Sequence, residues 1–77
     1  MDSELSEKTR RMYEFFYRQD MGDSVVAVVS QGTPGEYDEN PTVREYAEKG
    51  YRLIDANMFG QGDDSGEILI FKPAEEE

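Results

Sequence analysis

The chain has 77 residues, no cysteine and no histidine, and its 18 acidic against eight basic side chains give a formal net charge of −10. A domain this small buries only about 60% of the surface its unfolded chain exposes, and without cysteine neither a disulfide staple nor a thiolate zinc site can compensate, so a dimer is the natural remedy. The negative field repels nucleic acid and anionic lipid and attracts basic partners, no apolar run reaches the roughly 20 residues that cross a bilayer, and the opening "MDSELSEK" is acidic where a secretory signal is basic and then apolar, so a cytoplasmic protein is expected.

The charge is uneven. Residues 1–19 carry four acids and four bases, which leaves fourteen acids and four bases in residues 20–77. With only three lysines, the composition is similar to that of proteins from salt-accumulating cells, where screening tolerates dense carboxylates.

A helix is predicted over residues 3–20, with Ser3 as its cap and Leu5, Thr9, Met12 and Phe16 recurring on one face as the inward stripe. Tyr13 and Phe15 flank that stripe, and Tyr17 projects off it. Glu7 to Arg11 and Glu14 to Arg18 are spaced i to i+4 with the acid first, the favourable order, on the face predicted to be outward. The stretch "RRMYEFFYR" mixes bases and aromatics as nucleic-acid binders do, but it is charge-balanced and its aromatics belong to the predicted core stripe.

"MGDS" breaks the helix, and the β-branched run "SVVAVVS" predicts a strand over 24–30 that is apolar on both faces. The loop "QGTPGEYDEN" precedes a second helix over 41–49, with Asn40 as cap, Pro41 in the first position, Val43, Tyr46 and Ala47 facing inward, and Gly50 in the left-handed stop position. Residues 51–59 predict a second strand with Ile54, Ala56 and Met58 on one face, residues 67–72 a third that suits a central place, and residues 73–77 an acidic tail. A strand, short helix and strand usually make a right-handed crossover between parallel strands, and a last strand arriving by a hairpin slots between them. The expected fold is therefore α+β: an N-terminal helix followed by a βαββ unit, with a three-stranded sheet of order 1-3-2 in one domain. The loops at 31–40 and 60–66 then share one end of the sheet.

The passage "VREYAEKGYRLIDANMFGQGDDSGEILIFK" resembles a family of small uncharacterised bacterial and phage βαββ domains, in which a helix ends in Glu-x-Gly followed by an aromatic, a polar residue and Leu. Here these are Glu48, Gly50, Tyr51, Arg52 and Leu53. The resemblance covers the last three elements and implies the fold; it carries no activity, cofactor or site residue.

The hairpin "FGQGDDSGEILIF" invites three chemical readings. A phosphate cradle needs glycines that open a helix, whereas here strand leads to strand, Ser65 stands in place of a third glycine, and Asp63 and Asp64 repel an anion. A calcium loop needs ligands at alternating positions, so adjacent carboxylates suit it poorly; Asp63 and Asp64 could share a weak cation site with Glu36, Asp38 or Glu39 of the neighbouring loop. A plain hairpin turn accounts for every residue, with Gly60, Gly62 and Gly66 free to take positive φ. No cofactor is expected.

Without histidine or cysteine the common nucleophiles and neutral-pH bases are missing. Asp55, in a strand between Ile54 and Ala56, is the one carboxylate placed for proton transfer, although the same position suits a residue facing solvent, Arg52 or Lys72. The reading that follows is a non-enzymatic acidic interaction or regulatory module, self-associating as a homodimer or binding a basic protein. If both helices pack on one face, as the short linker 21–23 allows, Val25, Val26, Val28, Leu53, Phe59 and Phe71 are left for a partner, with Tyr17 beside them. If the first helix crosses to the other face, the monomer is self-sufficient. The alternatives are a mobile-element inhibitor whose carboxylates stand in for nucleic-acid phosphates and a minor carboxylate-dependent enzyme using Asp55.

Overall fold

The computed structural model describes residues 3–60 and 62–74. Helix α1 (Ser3–Met21) leads into strand β1 (Val26–Val29), helix α2 (Pro41–Glu48), strand β2 (Tyr51–Phe59), a 3-10 turn (Gly62–Asp64) and strand β3 (Gly66–Pro73). The side chains of Ser3, Leu5 and Asp64 and the tail residues 75–77 lie outside the described part, and with them the expected cap, one stripe position, one hairpin carboxylate and most of the acidic tail.

The sheet is three-stranded and antiparallel with order β1-β3-β2, so β1 and β2 run parallel on either side of β3, as the crossover argument requires. Central placement explains why Glu67 to Phe71 are all buried. β1 is shorter than the apolar run that encodes it. Val25 leaves the ladder because its N–H bonds to Gly22 O at 3.5 Å and its carbonyl accepts from Arg18 Nε at 3.1 Å, both in the helix connection.

The two helices lie on opposite faces of the sheet, which corrects the one-face arrangement. On one face Val25, Ala27, Ile68 and Ile70 form a core, with Tyr13 and Tyr17 of α1 packed on it beside Ile54 and Phe59. On the other face Tyr46 of α2 stacks on Phe71 with ring centroids 4.7 Å apart, and Tyr51 meets Tyr46 edge-on at 5.7 Å. The linker is short enough for either arrangement. The residues α1 needs as neighbours, at the outer edge of β1, are what draw it to the first face.

α2 starts where its sequence says. Asn40 Oδ1 accepts from the N–H groups of Thr42 at 2.8 Å and Val43 at 3.2 Å, while its Nδ2 donates to Ser30 Oγ at 2.8 Å. This ties the helix start to the end of β1. Gly50 stops the helix with φ +92°.

β2 carries a bulge between Leu53 and Asp55. The bulge overturns the simple alternation expected there. Ile54 joins Asp55, Asn57 and Phe59 on the α1 face, whereas Leu53, Ala56 and Met58, opposite Phe71, Leu69 and Glu67, share the α2 face. In the hairpin Gly60 and Gly62 do take positive φ, but Gly66 does not. Its hydrogen leaves room for the Phe59 ring, whose Cζ would lie 2.7 Å from a Cβ at that position.

Candidate interaction surface

The expected inward stripe holds at the half-buried Thr9 but fails at Met12 and Phe16. Met12, Phe15 and Phe16 are 48%, 58% and 55% exposed, whereas Ser6 is buried and Arg10, Tyr13, Glu14 and Tyr17 are half-buried. The helix is turned so that a polar-aromatic face points inward, and the reason lies in its neighbour. β1 is an edge strand, and the backbone groups on its outer side must be satisfied. Ala27 N–H donates to Glu14 Oε2 at 3.0 Å, Arg10 Nη1 donates to Ala27 O at 3.0 Å, and Arg18 Nε donates to Val25 O. Three side chains one turn apart thus do for β1 what another strand would do, and they close that edge against foreign pairing. A leucine face could not.

Ion pairs hold this clamp. Arg10 Nη2 meets Glu7 Oε2 at 2.7 Å, Glu14 reaches Arg10 at 3.4 Å and Arg18 at 3.7 Å, and Arg11 meets Glu7 at 3.2 Å. The hydrogen bond from Arg10, with the attraction of Arg10 and Arg11, outweighs burial and holds the Glu7 carboxyl below its ordinary value. Glu14, expected on the outer face, is therefore a principal inward contact.

At its C-terminal end α1 crosses to β2. Tyr17 donates its hydroxyl to Asp55 Oδ2, and Asn57 Nδ2 donates to the Tyr17 oxygen at 3.2 Å. The Asn57 bond pulls the phenol down, but the bond to Asp55, burial and the negative charge of Asp55 together hold it above its ordinary value. Asp55 is exposed, and its Oδ1 accepts from Ala56 N–H at 2.8 Å.

The loop between β1 and α2 folds back over the other face. Tyr37 donates to Glu67 Oε2 at 2.6 Å, and the Oε1 of the buried Glu67 has no hydrogen-bond partner among the described residues. That bond, burial and the Glu67 charge raise the Tyr37 phenol above its usual value. No pattern along the chain signals this pair, since Glu67 reads as the polar start of an apolar strand. Glu36, Asp38 and Glu39 remain exposed, and so does Asp63. Among the described residues, which leave out the Asp64 side chain, no group of three or more acidic side chains comes together to hold a metal ion.

The residues expected to face a partner are mostly covered by the chain itself. Phe71 is fully buried under Tyr46, Val25 is fully buried on the α1 face, Val26, Val28 and Leu53 are half-buried on the sheet face of Phe71, and Phe59 and Tyr17 are half-buried on the α1 face. The exposed apolar surface is instead Met12, Phe15 and Phe16, with Met21 further along α1 and Met58 on β2. Phe15 and Phe16 touch edge-to-face with centroids 5.8 Å apart. Among the described residues no helix is long and apolar enough to cross a membrane. Comparison with protein-family models, with curated proteins and with solved structures finds no match to this chain.

Proposed function

We propose that the protein is a non-enzymatic acidic interaction module of the cytoplasm that self-associates through the outer face of α1. One observation carries the reading: three large apolar side chains, spaced i, i+3 and i+4, stand about half exposed on a helix whose acids and bases cancel, in a chain of net charge −10. Taking about 200 Å² for each aromatic side chain, Phe15 and Phe16 leave roughly 220 Å² in water before Met12 is added. With Met12 the patch reaches roughly 300 Å², the lower end of the range for the largest apolar patch on a soluble monomer. Two copies repel over most of their surfaces, but at α1 acids and bases cancel, so a two-fold pairing of these helices meets the least opposition. Burial on both copies contributes on the order of 10 kcal/mol at 25 cal/mol per Å², against about 4–15 kcal/mol for lost freedom. The dimer is weak and depends on concentration. Asp55 supports the non-enzymatic reading, because both its oxygens are engaged by Tyr17 and the backbone in an open setting.

Sedimentation equilibrium from low to high micromolar protein at 0.5 M salt tests this. The wild-type mass rises toward twice the monomer, and the pair of changes Phe15→Gln and Phe16→Gln, which leave the net charge untouched, holds it at the monomer value. A wild-type mass that stays monomeric, or a variant that still dimerises, overturns the reading.

A further inference from the structure

The two edges of the sheet are treated differently. α1 closes β1, but among the described residues no strand pairs with the outer side of β2. The register shows which groups that side presents. Ser30 N–H bonds to Glu67 O, so residues 67, 69 and 71 of β3 turn toward β1, and residues 66, 68, 70 and 72 turn toward their β2 partners Phe59, Asn57, Asp55 and Arg52. The backbone groups of Leu53, Ala56 and Met58 therefore point away from the sheet. The Ala56 N–H bears this out, since it is taken by the Asp55 side chain rather than by β3.

Beside this edge lies a cavity of about 310 Å³ lined by Leu53, Ile54, Asp55, Ala56 and Tyr37. Leu53 and Ala56 lie on the α2 face and Ile54 and Asp55 on the α1 face, so the four border one cavity along the strand's edge. The cavity offers aliphatic side chains, an aromatic wall from Tyr37 and a carboxylate from Asp55. A second cavity of about 330 Å³ shares Tyr37 and is lined by Gly35, Glu36, Asp38 and Glu39. β2 itself carries one base and one acid, so the negative character of this region comes from the adjoining loop.

We propose that the outer edge of β2 is a docking strip for an extended basic segment of a partner protein, which adds as a fourth strand, seats an apolar side chain against Leu53, Ile54 and Ala56, and places a Lys or Arg on Asp55. Strand addition draws affinity from main-chain hydrogen bonds and specificity from pockets for alternate side chains, and both are present here. The bulge and the Asp55 carboxylate resting on Ala56 N–H guard the edge against indiscriminate pairing. A cation that draws Asp55 away releases that N–H for the incoming strand, so the guard selects for positive charge. A second copy of this chain brings the same carboxylates and another −10, and the complementarity excludes it as the favoured occupant.

The test is an amide NMR titration of the full chain with three synthetic ten-residue peptides: one alternating Lys and Val, one with Glu for every Lys, and one basic peptide with Pro at alternate positions. The Lys–Val peptide shifts the Leu53, Ala56 and Met58 amides and protects them from hydrogen exchange. The Glu peptide leaves them unchanged, the Pro peptide binds at least tenfold more weakly, and Asp55→Asn weakens the Lys–Val peptide several-fold while the free spectrum stays folded. Equal binding of the Pro peptide, or shifts confined to the acidic loop, reduces the effect to diffuse charge attraction and overturns the proposal. Protection of the same amides by raising protein concentration alone assigns the edge to a second copy and overturns it equally.

Discussion

Replacing Glu14 by Ala should destabilise this protein more than replacing Phe16 by Gln, the reverse of what an apolar-in, charged-out helix predicts. Glu14 is 18% exposed at its side chain and is the acceptor for the backbone N–H of Ala27, itself 3% exposed. Removing it strands a buried donor, at about 1–3 kcal/mol, and breaks ion pairs to Arg10 and Arg18 that are exposed enough to add no more than about 1 kcal/mol. The expected loss is about 2–3 kcal/mol, from a domain whose total at this length is about 4–12 kcal/mol. At about 4–8 °C per kcal/mol, Tm falls by roughly 10–20 °C. Phe16 is 55% exposed, and Gln is at least as good a helix former, so Phe16→Gln should cost under about 1 kcal/mol. Were Phe16 an inward stripe residue, its truncation would cost about 3–5 kcal/mol. Urea unfolding followed by far-UV circular dichroism, on protein dilute enough to be monomeric, reads both as shifts in midpoint at constant slope. A Phe16→Gln loss larger than that of Glu14→Ala would refute the edge clamp.

Tyr37→Phe removes the hydrogen bond that Glu67 receives and should cost about 2–3 kcal/mol at neutral pH, measured by the same unfolding curves. The folded Tyr37 phenol lies above its unfolded value, so its stabilising contribution is complete below about pH 10 and is lost as pH rises through the higher folded value. Tyr17 follows the same sign. Wild-type stability should therefore fall above pH 10, and Tyr37→Phe should flatten part of that fall; an unchanged slope would count against the pair. Dense carboxylates predict a Tm that climbs from dilute buffer to molar sodium sulfate, through screening and through strengthened apolar burial. A flat or falling Tm in that series contradicts it.

The elements and their order are legible in local residue chemistry. Asn40, Pro41 and Gly50 mark α2 because capping and stopping are local chemistry, and the apolarity of Ile68 to Phe71 on both faces marks the central strand because only that place covers both. From those facts the 1-3-2 order follows by topology alone. Tertiary structure decided what each face meets. The bulge at Leu53–Asp55 moves Ile54 to the side of Asp55 and Asn57, a shift of one residue that alternation cannot anticipate. The partnership of Tyr37 with Glu67 spans 30 residues and leaves no periodic trace. Helix α1 shows the limit most plainly: periodicity assumes that a helix packs on its apolar stripe, whereas α1 sets Tyr13 and Tyr17 on the core and polar side chains on the open backbone of a strand edge. Such a neighbour asks for Arg10, Glu14 and Arg18, and it leaves Met12, Phe15 and Phe16 exposed on the outer side of the helix.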